Sequence, residues 1–396
     1  MKKSIGNIVA VFLLLSFLFV PLTFNGRDWQ FGLTRFLFEK PIAWLQNAFF
    51  PNALSNIDFS SDTIALNLLL LLLFILAVIV TGCLIFLRIK TKEIIEVTRT
   101  ISCYYIVFIL LKYGFDKVFK AQFYLPEPNI LYTPFGQLTK DTLYWSTLGT
   151  SHFYSLATGL IEVSVAALIV LKRTRVLGLI LALGIFIHIV FINFGFDISV
   201  KTFSLFLVFT TFFAAFPYSR TLVDFFIFGK QKTLNPIPAI IKNKSLKSGL
   251  KTMLIGLMLI EILYPYAATK NFNDDLQKRP FLHGAYRVTN IYTKTDALPA
   301  KNLWLKNIFI HRNHYLIFQN ANDRMTDYHF EINELKKQLI LEDYQKNKII
   351  VQYEFHPKDS IFKLILKKNV VVSKMMNWQD LPALKDKTHY TIDEIK

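Results

Sequence analysis

Seven stretches of this chain are apolar for long enough to cross a lipid bilayer, and that constrains its fold more than any motif does. A hydrocarbon core needs roughly 20 helical residues to span it. Runs of that kind occur at 5–24, 64–88, 98–116, 152–171, 176–196, 200–217 and 249–267. In lipid each backbone N–H and C=O must be satisfied within its own segment, so these runs predict α-helices. Composition agrees, with 53% of the 396 residues hydrophobic and 18% charged, too apolar for a soluble domain of this length. The formal charge of +17 would suggest nucleic acid on a soluble protein. Here the basic residues sit mostly in short connections between apolar runs and in a C-terminal third of mixed sign. The expected partner is therefore the lipid bilayer, and no nucleic acid is expected.

The same charges orient the spans. Lys2 and Lys3, then Arg88, Lys90, Lys92 and Arg99, then Lys172, Arg173 and Arg175, then the basic segment from Arg220 to Lys251 fall on one side of successive spans. By the positive-inside rule that side and the N-terminus are cytoplasmic, and an odd number of spans puts the C-terminus outside. The first run follows Met1-Lys2-Lys3 as a signal peptide would, but no small-x-small cleavage pattern follows it, so it reads as an uncleaved anchor. In the outer loop 25–63, residues 29–50 interleave Trp29, Trp44 and several Phe with Arg35, Glu39 and Lys40. This predicts an interfacial helix along the outer leaflet, broken at Pro41.

From about residue 269 the pattern changes to strand-like alternation at hairpin spacing: "GAYRVTNIYT", "LWLKNIFIH", "HYLIFQNA", "TDYHFEIN", "KQLILED", "KIIVQYEFH", "IFKLILKK" and "NVVVSKMMNW". Turn formers separate them, among them Asn320–Asp323, Asn347, Pro357-Lys358-Asp359 and Lys368-Asn369. Eight short antiparallel strands predict a small barrel or sandwich in an exoplasmic β-rich domain spanning 269–396. Its "HGAYRV" opening with Trp304 on the second strand is similar to lipocalin starts, which implies a pocket for an apolar ligand. His311, His314, His329 and His356 fall on different strands and read as scattered surface residues, so no metal site is expected. Cys83 and Cys103 both lie inside apolar runs without CxxC or zinc spacing, which argues against thiol redox chemistry.

Ionisable residues inside spans are expensive and mark function when they converge. The third span ends "LLKYGFDKVFKAQF", placing Tyr113, Asp116, Lys117 and Lys120 on one face at i, i+3, i+4 and i+7. Glu162 stands near the middle of the fourth span. His188, Asn193 and Asp197 stand in the outward-running fifth, and Lys201 and Ser204 in the first turn of the sixth. All fall at mid-depth or in the outer half. Asp116 with Lys120, and Asp197 with Lys201, are either local i, i+4 pairs or parts of a site. His188, about 140° round its helix from Asn193 at ~100° per residue, is either a packed histidine or a ligand. Glu162 has no cation within a turn and needs a partner across the bundle, for which Lys112, Lys117 and His188 are the candidates. Glu261 in the seventh span raises the same question.

Four pieces carry a resemblance: "YGFDKVFKAQF" at 113–123, "YWSTLGTSHFYSLATGLIE" at 144–162, "LKRTRVLG" at 171–178 and "INFGFDISVKTFS" at 192–204. Residues 98–228 resemble the DoxX family of four-helix bacterial membrane proteins, in particular DoxX-like members with extra spans and an exoplasmic tail. The resemblance implies a multi-pass protein of the bacterial cytoplasmic (inner) membrane. It divides the chain into N-terminal spans with an amphipathic loop (1–97), a four-helix bundle (98–228), a basic cytoplasmic loop with the last span (229–268) and the β domain. Carried over by position, its recurrent polar residues are Tyr113, Lys117, Gln122, Glu162, Asn193, Asp197 and Lys201; Asp116 and His188 join them as ligand-binding candidates on depth alone.

The family namesake is similar to a subunit of a thiosulfate:quinone oxidoreductase, which makes a quinone the one cofactor to consider. No reactive cysteine pair, bis-histidine pattern or Gly-rich nucleotide fingerprint accompanies it here. Three functions stay open. The first is a binding protein that holds a lipid or quinone in the outer half of its bundle and meets a ligand or exoplasmic protein partner through its β domain. The second is a quinone-linked oxidoreductase subunit. The third is a small-solute or ion transporter, which Glu162 and Lys117 favour and the lack of inverted repeats or broken spans disfavours.

Overall fold

A computed structural model of the chain describes residues 2–22, 28–52, 57–89, 92–231, 233, 243–293, 297–298, 304–366, 369–385 and 391. Lys90, Lys368 and most of the basic connection between 232 and 242 lie outside the described residues. The chain forms two units, one of residues 1–122 and 156–272, the other of residues 123–155 and 273–396. The segment 123–155, which the sequence reading assigned to the bundle, thus folds with the β strands.

The first unit is helical. It contains α1 (Lys2–Phe19), α2 (Trp29–Phe49), α3 (Ile64–Phe86) and α4 (Lys92–Val118). The chain then passes through α5 (Pro128–Leu131) and α6 (Lys140–Gly149) of the second unit. It returns by α7 (His152–Val170), α8 (Arg175–Gly195), α9 (Lys201–Ala215), α10 (Ser219–Phe226) and α11 (Lys244–Thr269). Among the described residues six helical stretches are long and apolar enough to cross a membrane, one fewer than the seven expected: 64–86, 93–118, 152–170, 175–195, 201–226 and 244–276. The first expected span is the shorter apolar helix Ser4–Phe19. It ends there because Pro21 disfavours helical backbone at Val20.

The end of α1 is finished by α2. The Gln30 amide donates to the carbonyls of Phe17, Leu18 and Val20 at 3.2, 3.0 and 2.9 Å and accepts from the Leu22 N–H at 3.0 Å. Thr34 donates to the Phe19 carbonyl at 2.8 Å. These are the orphan carbonyls that a helix C-terminus must satisfy where water is scarce. Thus α2 turns Gln30, Thr34 and Gln46 inward while Trp29, Phe36, Trp44 and Phe49 are exposed, the reverse of a helix on a soluble protein. The helix runs unbroken through Pro41, contrary to expectation. Pro41 and Leu37, whose carbonyl loses its donor, are both exposed, so the missing bond is not left in the packed face. Gln30→Leu strips partners from four backbone groups and is expected to cost on the order of 1–3 kcal/mol, read as a lowered unfolding midpoint in detergent.

The second unit is an antiparallel barrel. Its strands are β1 (Gly284–Thr293), β2 (Ala297–Leu298), β3 (Leu305–Ile310), β4 (Tyr315–Asn320), β5 (Met325–Asn333), β6 (Gln338–Glu342), β7 (Lys348–His356), β8 (Ile361–Ile365) and β9 (Asn369–Met376). Consecutive strands from β3 onward pair in order, β1 pairs with β3, and β1 pairs again with β9 from Ala285↔Met376 to Thr293↔Asn369. This last pairing closes eight strands into a barrel and rules out a sandwich, with two-residue β2 an appendage at the end of β1. The hairpin loops reach the left-handed region with ordinary residues: His314, Asp323, Lys337, Lys346 and Ser360 all have φ between 51° and 68°.

Strand alternation explains the packing. Tyr286, Ile308, Ile310, Leu316, Phe330, Phe362 and Leu364 point inward and fill the barrel, so its interior is a packed core rather than a lipocalin-like cup. On β1, β3 and β4 the outward residues Ala285, Phe309 and Ile317 are buried too, in a cluster with Leu125, Leu131, Tyr132, Trp378, Leu381 and Leu384. Tyr132 stacks on Phe309 at 5.9 Å, and its carbonyl accepts from Gln319 at 3.2 Å. Trp304 precedes β3 and is exposed.

Candidate functional site

Two glycines build the centre of the helical unit. A Cβ on Gly159 of α7 would lie 2.6 Å from the Gly114 carbonyl oxygen of α4, and one on Gly114 would lie 2.8 Å from Val163. Only glycine lets these helices touch backbone to backbone, as at small-residue crossings in membranes. Three residues on from each, on the same faces, stand Lys117 and Glu162. Lys117 Nζ donates to both carboxylate oxygens of Glu162, at 3.0 and 2.9 Å, with side chains 8% and 7% exposed. The ammonium also lies 5.8 Å from the centre of the Tyr113 ring. Of the three candidate partners for Glu162, the structure selects Lys117. Lys112 turns elsewhere and His188 is exposed on α8, apart from this pair.

Asp116 points to the neighbouring α11, where the Tyr266 hydroxyl donates to it in a short hydrogen bond. Lys112, Glu261 and Pro265 complete a cavity of about 30 Å³, space for about one water. Glu261 of the last span therefore joins the α4 polar face. Tyr266 was absent from the sequence candidates because nothing within α11 marks it. Asp116 and Lys120 do not form the local pair considered above: Lys120 is buried at φ 59° and closes the end of α4, its N–H bonding Lys117 and the next N–H bonding Asp116. Gln122 follows, its N–H also bonded to the Asp116 carbonyl and its side-chain oxygen buried without a hydrogen-bond partner.

The remaining candidates form a separate arrangement. Asn193 is buried and donates to the Val200 carbonyl at 3.4 Å. Asp197, at φ 54°, ends α8 and pairs with Lys201 at 2.8 Å through an exposed carboxylate. What ties this corner down is Asp62, whose carboxylate accepts from the Lys201 and Thr202 N–H groups at 2.7 and 2.9 Å, a cap on α9 contributed from 139 and 140 residues away. Asn193, Asp197 and Lys201 are thus packing and capping residues, while Lys117 turns to Glu162.

The second unit holds a network the sequence did not suggest. Glu127, 3% exposed, sits opposite His283 Nε2 at 2.8 Å, accepts from the Arg312 backbone N–H at 3.1 Å and takes a short hydrogen bond from Arg312 Nε. An ionised carboxylate only accepts, so His283 donates. Arg312 bonds Asp274 and the Leu125 carbonyl through its other nitrogens, and Arg279 bonds Asp274 as well. Burial alone would raise the Glu127 pKa, but the His283 hydrogen bond and the Arg312 charge outweigh it and hold the carboxyl down at about 2. Asp274, half-buried beside Arg312 and Arg279, is likewise lowered, and burial lowers His311. Among the described residues no three His, Cys, Asp or Glu side chains are placed to hold a metal.

No family model matches this chain, and no solved structure matches it. It is similar to YwoB of Bacillus subtilis (strain 168), itself described as uncharacterized, with 34% identity over 100 residues. The match takes in 25% of this chain and 63% of that protein, so the chain spans less than two thirds of that relative's length.

Proposed function

We propose that this chain is a DoxX-like integral membrane protein of the bacterial cytoplasmic membrane, whose helical unit binds the oxygen-bearing head of a lipid-soluble ligand, a lipid or a quinone, at Lys117–Glu162. The observation that carries this is the buried ion pair. Buried pairs seldom add net stability over apolar residues of the same volume, so one inside a transmembrane bundle is better accounted for by use than by folding. Lys117 would offer a charged donor and Glu162 an acceptor to a carbonyl or head group displacing part of their mutual bond. Orientation follows the basic connections: with α1 counted as a crossing beside the six longer helices, the N-terminus is cytoplasmic and the β unit exoplasmic, where it is free to meet a soluble partner. The chain enters and leaves that unit after α4, before α7 and after α11, connections that alternate with the basic ones.

The test compares organic extracts of purified wild type and the Lys117→Met/Glu162→Leu double variant by mass spectrometry. A lipid or quinone retained near one per chain by the wild type and missing from the double variant is the expected result. Equal content in both sinks the proposal. A retained quinone would support the oxidoreductase-subunit form of this reading.

A second reading, proton-coupled transport, is favoured by the water-sized cavity among Lys112, Asp116, Glu261 and Tyr266. Solute uptake into vesicles that is unchanged by Glu162→Gln would exclude proton coupling through that residue.

A further inference from the structure

At the end of the barrel where β1 begins and β3, β7 and β9 finish, a cavity of about 360 Å³ opens beside the Glu127 network. We propose that it binds a small uncharged organic ligand with an apolar, aromatic-sized body and a carbonyl oxygen, recognised by Arg279. The volume lies in the range of small-molecule sites, and Phe281, Leu282, Phe355 and Met375 supply apolar walls. Few convergent polar groups on such a wall fix orientation and specificity.

The polar groups with unused capacity are donors. Arg279 bonds Asp274 through Nη2, while its Nε and Nη1 donate to nothing among the described residues. Trp378 is 6% exposed, and its indole N–H is buried without a hydrogen-bond partner. That donor is closed off from the cavity, so the indole ring serves there as an apolar wall. Gly284, at φ +150°, lies against this wall: a Cβ there would stand 3.7 Å from Trp378 Nε1 and 3.3 Å from Met375 Cε.

The acidic groups are already engaged. Glu127 takes His283 and Arg312, Asp274 takes Arg312 and Arg279, and Asp275 accepts the Leu125 N–H at 3.0 Å. Three carboxylates face two guanidiniums and one imidazole, which leaves the neighbourhood without a positive excess. An added carboxylate would be repelled and desolvated there, whereas a cation would find its acceptors spent. An uncharged carbonyl meets both conditions and still takes a charge-assisted hydrogen bond from Arg279.

Three probes share one apolar body and differ in the head: 3-phenylpropanamide, 3-phenylpropionate and 3-phenylpropylamine. Titrated calorimetrically into the full chain in nanodiscs, with empty nanodiscs as blank, the amide is expected to bind saturably and at least about tenfold tighter than either charged analogue. Arg279→Gln should weaken the amide by about tenfold. Phe281→Ala removes part of the apolar wall at a half-exposed residue, and it should weaken all three heads alike. Absence of saturable amide binding, preference for the acid or the amine, or an Arg279→Gln variant that binds the amide as the wild type does would each overturn the assignment. None of these outcomes depends on what the helical unit binds.

Discussion

Lys117→Met, made alone, is expected to destabilise the helical unit by about 3–5 kcal/mol, because it leaves the Glu162 carboxylate buried without its counter-ion. For a unit of this size that is a fall of roughly 6–20 °C in the unfolding midpoint, measurable by intrinsic fluorescence in detergent. Adding Glu162→Leu to the same chain should restore most of the loss, since the double variant fills the α4–α7 contact with apolar volume and strands no charge. The non-additivity is the informative quantity. A double variant as unstable as the single ones would mean that the fold itself needs the pair. It would remove the reason for assigning Lys117 and Glu162 to ligand binding.

The second large effect concerns the barrel. Arg312→Met leaves the buried Glu127 carboxylate without its guanidinium and takes one of two guanidiniums from Asp274, and should also cost about 3–5 kcal/mol. The acid limb is predicted as well. Glu127 falls from 4.5 to about 2 on folding, so at 1.36 kcal/mol per pH unit it contributes roughly 3 kcal/mol. A lowered carboxylate stabilises above its unfolded pKa and ceases to do so as pH drops through its folded one. That contribution is therefore complete above about pH 5 and lost progressively toward pH 2. The lowered Asp274 acts with the same sign. Thermal unfolding followed by the sheet signal in circular dichroism should show the wild type losing stability across this window and Glu127→Gln showing a flatter profile. Parallel profiles would mean that Glu127 is not held ionised by its neighbours.

Much of the fold was legible because its signals are local. Apolar runs of spanning length, alternation with period two and turn residues at hairpin spacing located the later spans and the eight barrel strands. The first span came out shorter because Pro21 acts within one turn. The helix through Pro41 continued because the lost bond fell on an exposed side. Of the site candidates, Lys117 and Glu162 met each other, Asp116 met a tyrosine not foreseen, and Asn193, Asp197 and Lys201 proved to shape a helix corner. Gln30 and Thr34 could have been noticed as polar residues on the wrong face of an amphipathic helix. Asp62 and His283 carried no local mark.

What the sequence determined by itself was the class: a chain with several helices long and apolar enough to span a membrane, and a C-terminal set of short antiparallel strands. Those follow from backbone hydrogen-bond satisfaction in lipid and from side-chain periodicity, both of which act over a few residues. Tertiary structure decided the partnerships. Lys117 and Glu162 are 45 residues apart, Asp116 and Tyr266 are 150 apart, and Glu127 and Arg312 are 185 apart. Each depends on which backbones can approach closely, as Gly114 and Gly159 permit, and on β1 pairing with β9 to close the barrel. Such contacts are set by steric fit and charge neutralisation between distant segments, and a pattern read along the chain holds no term for either.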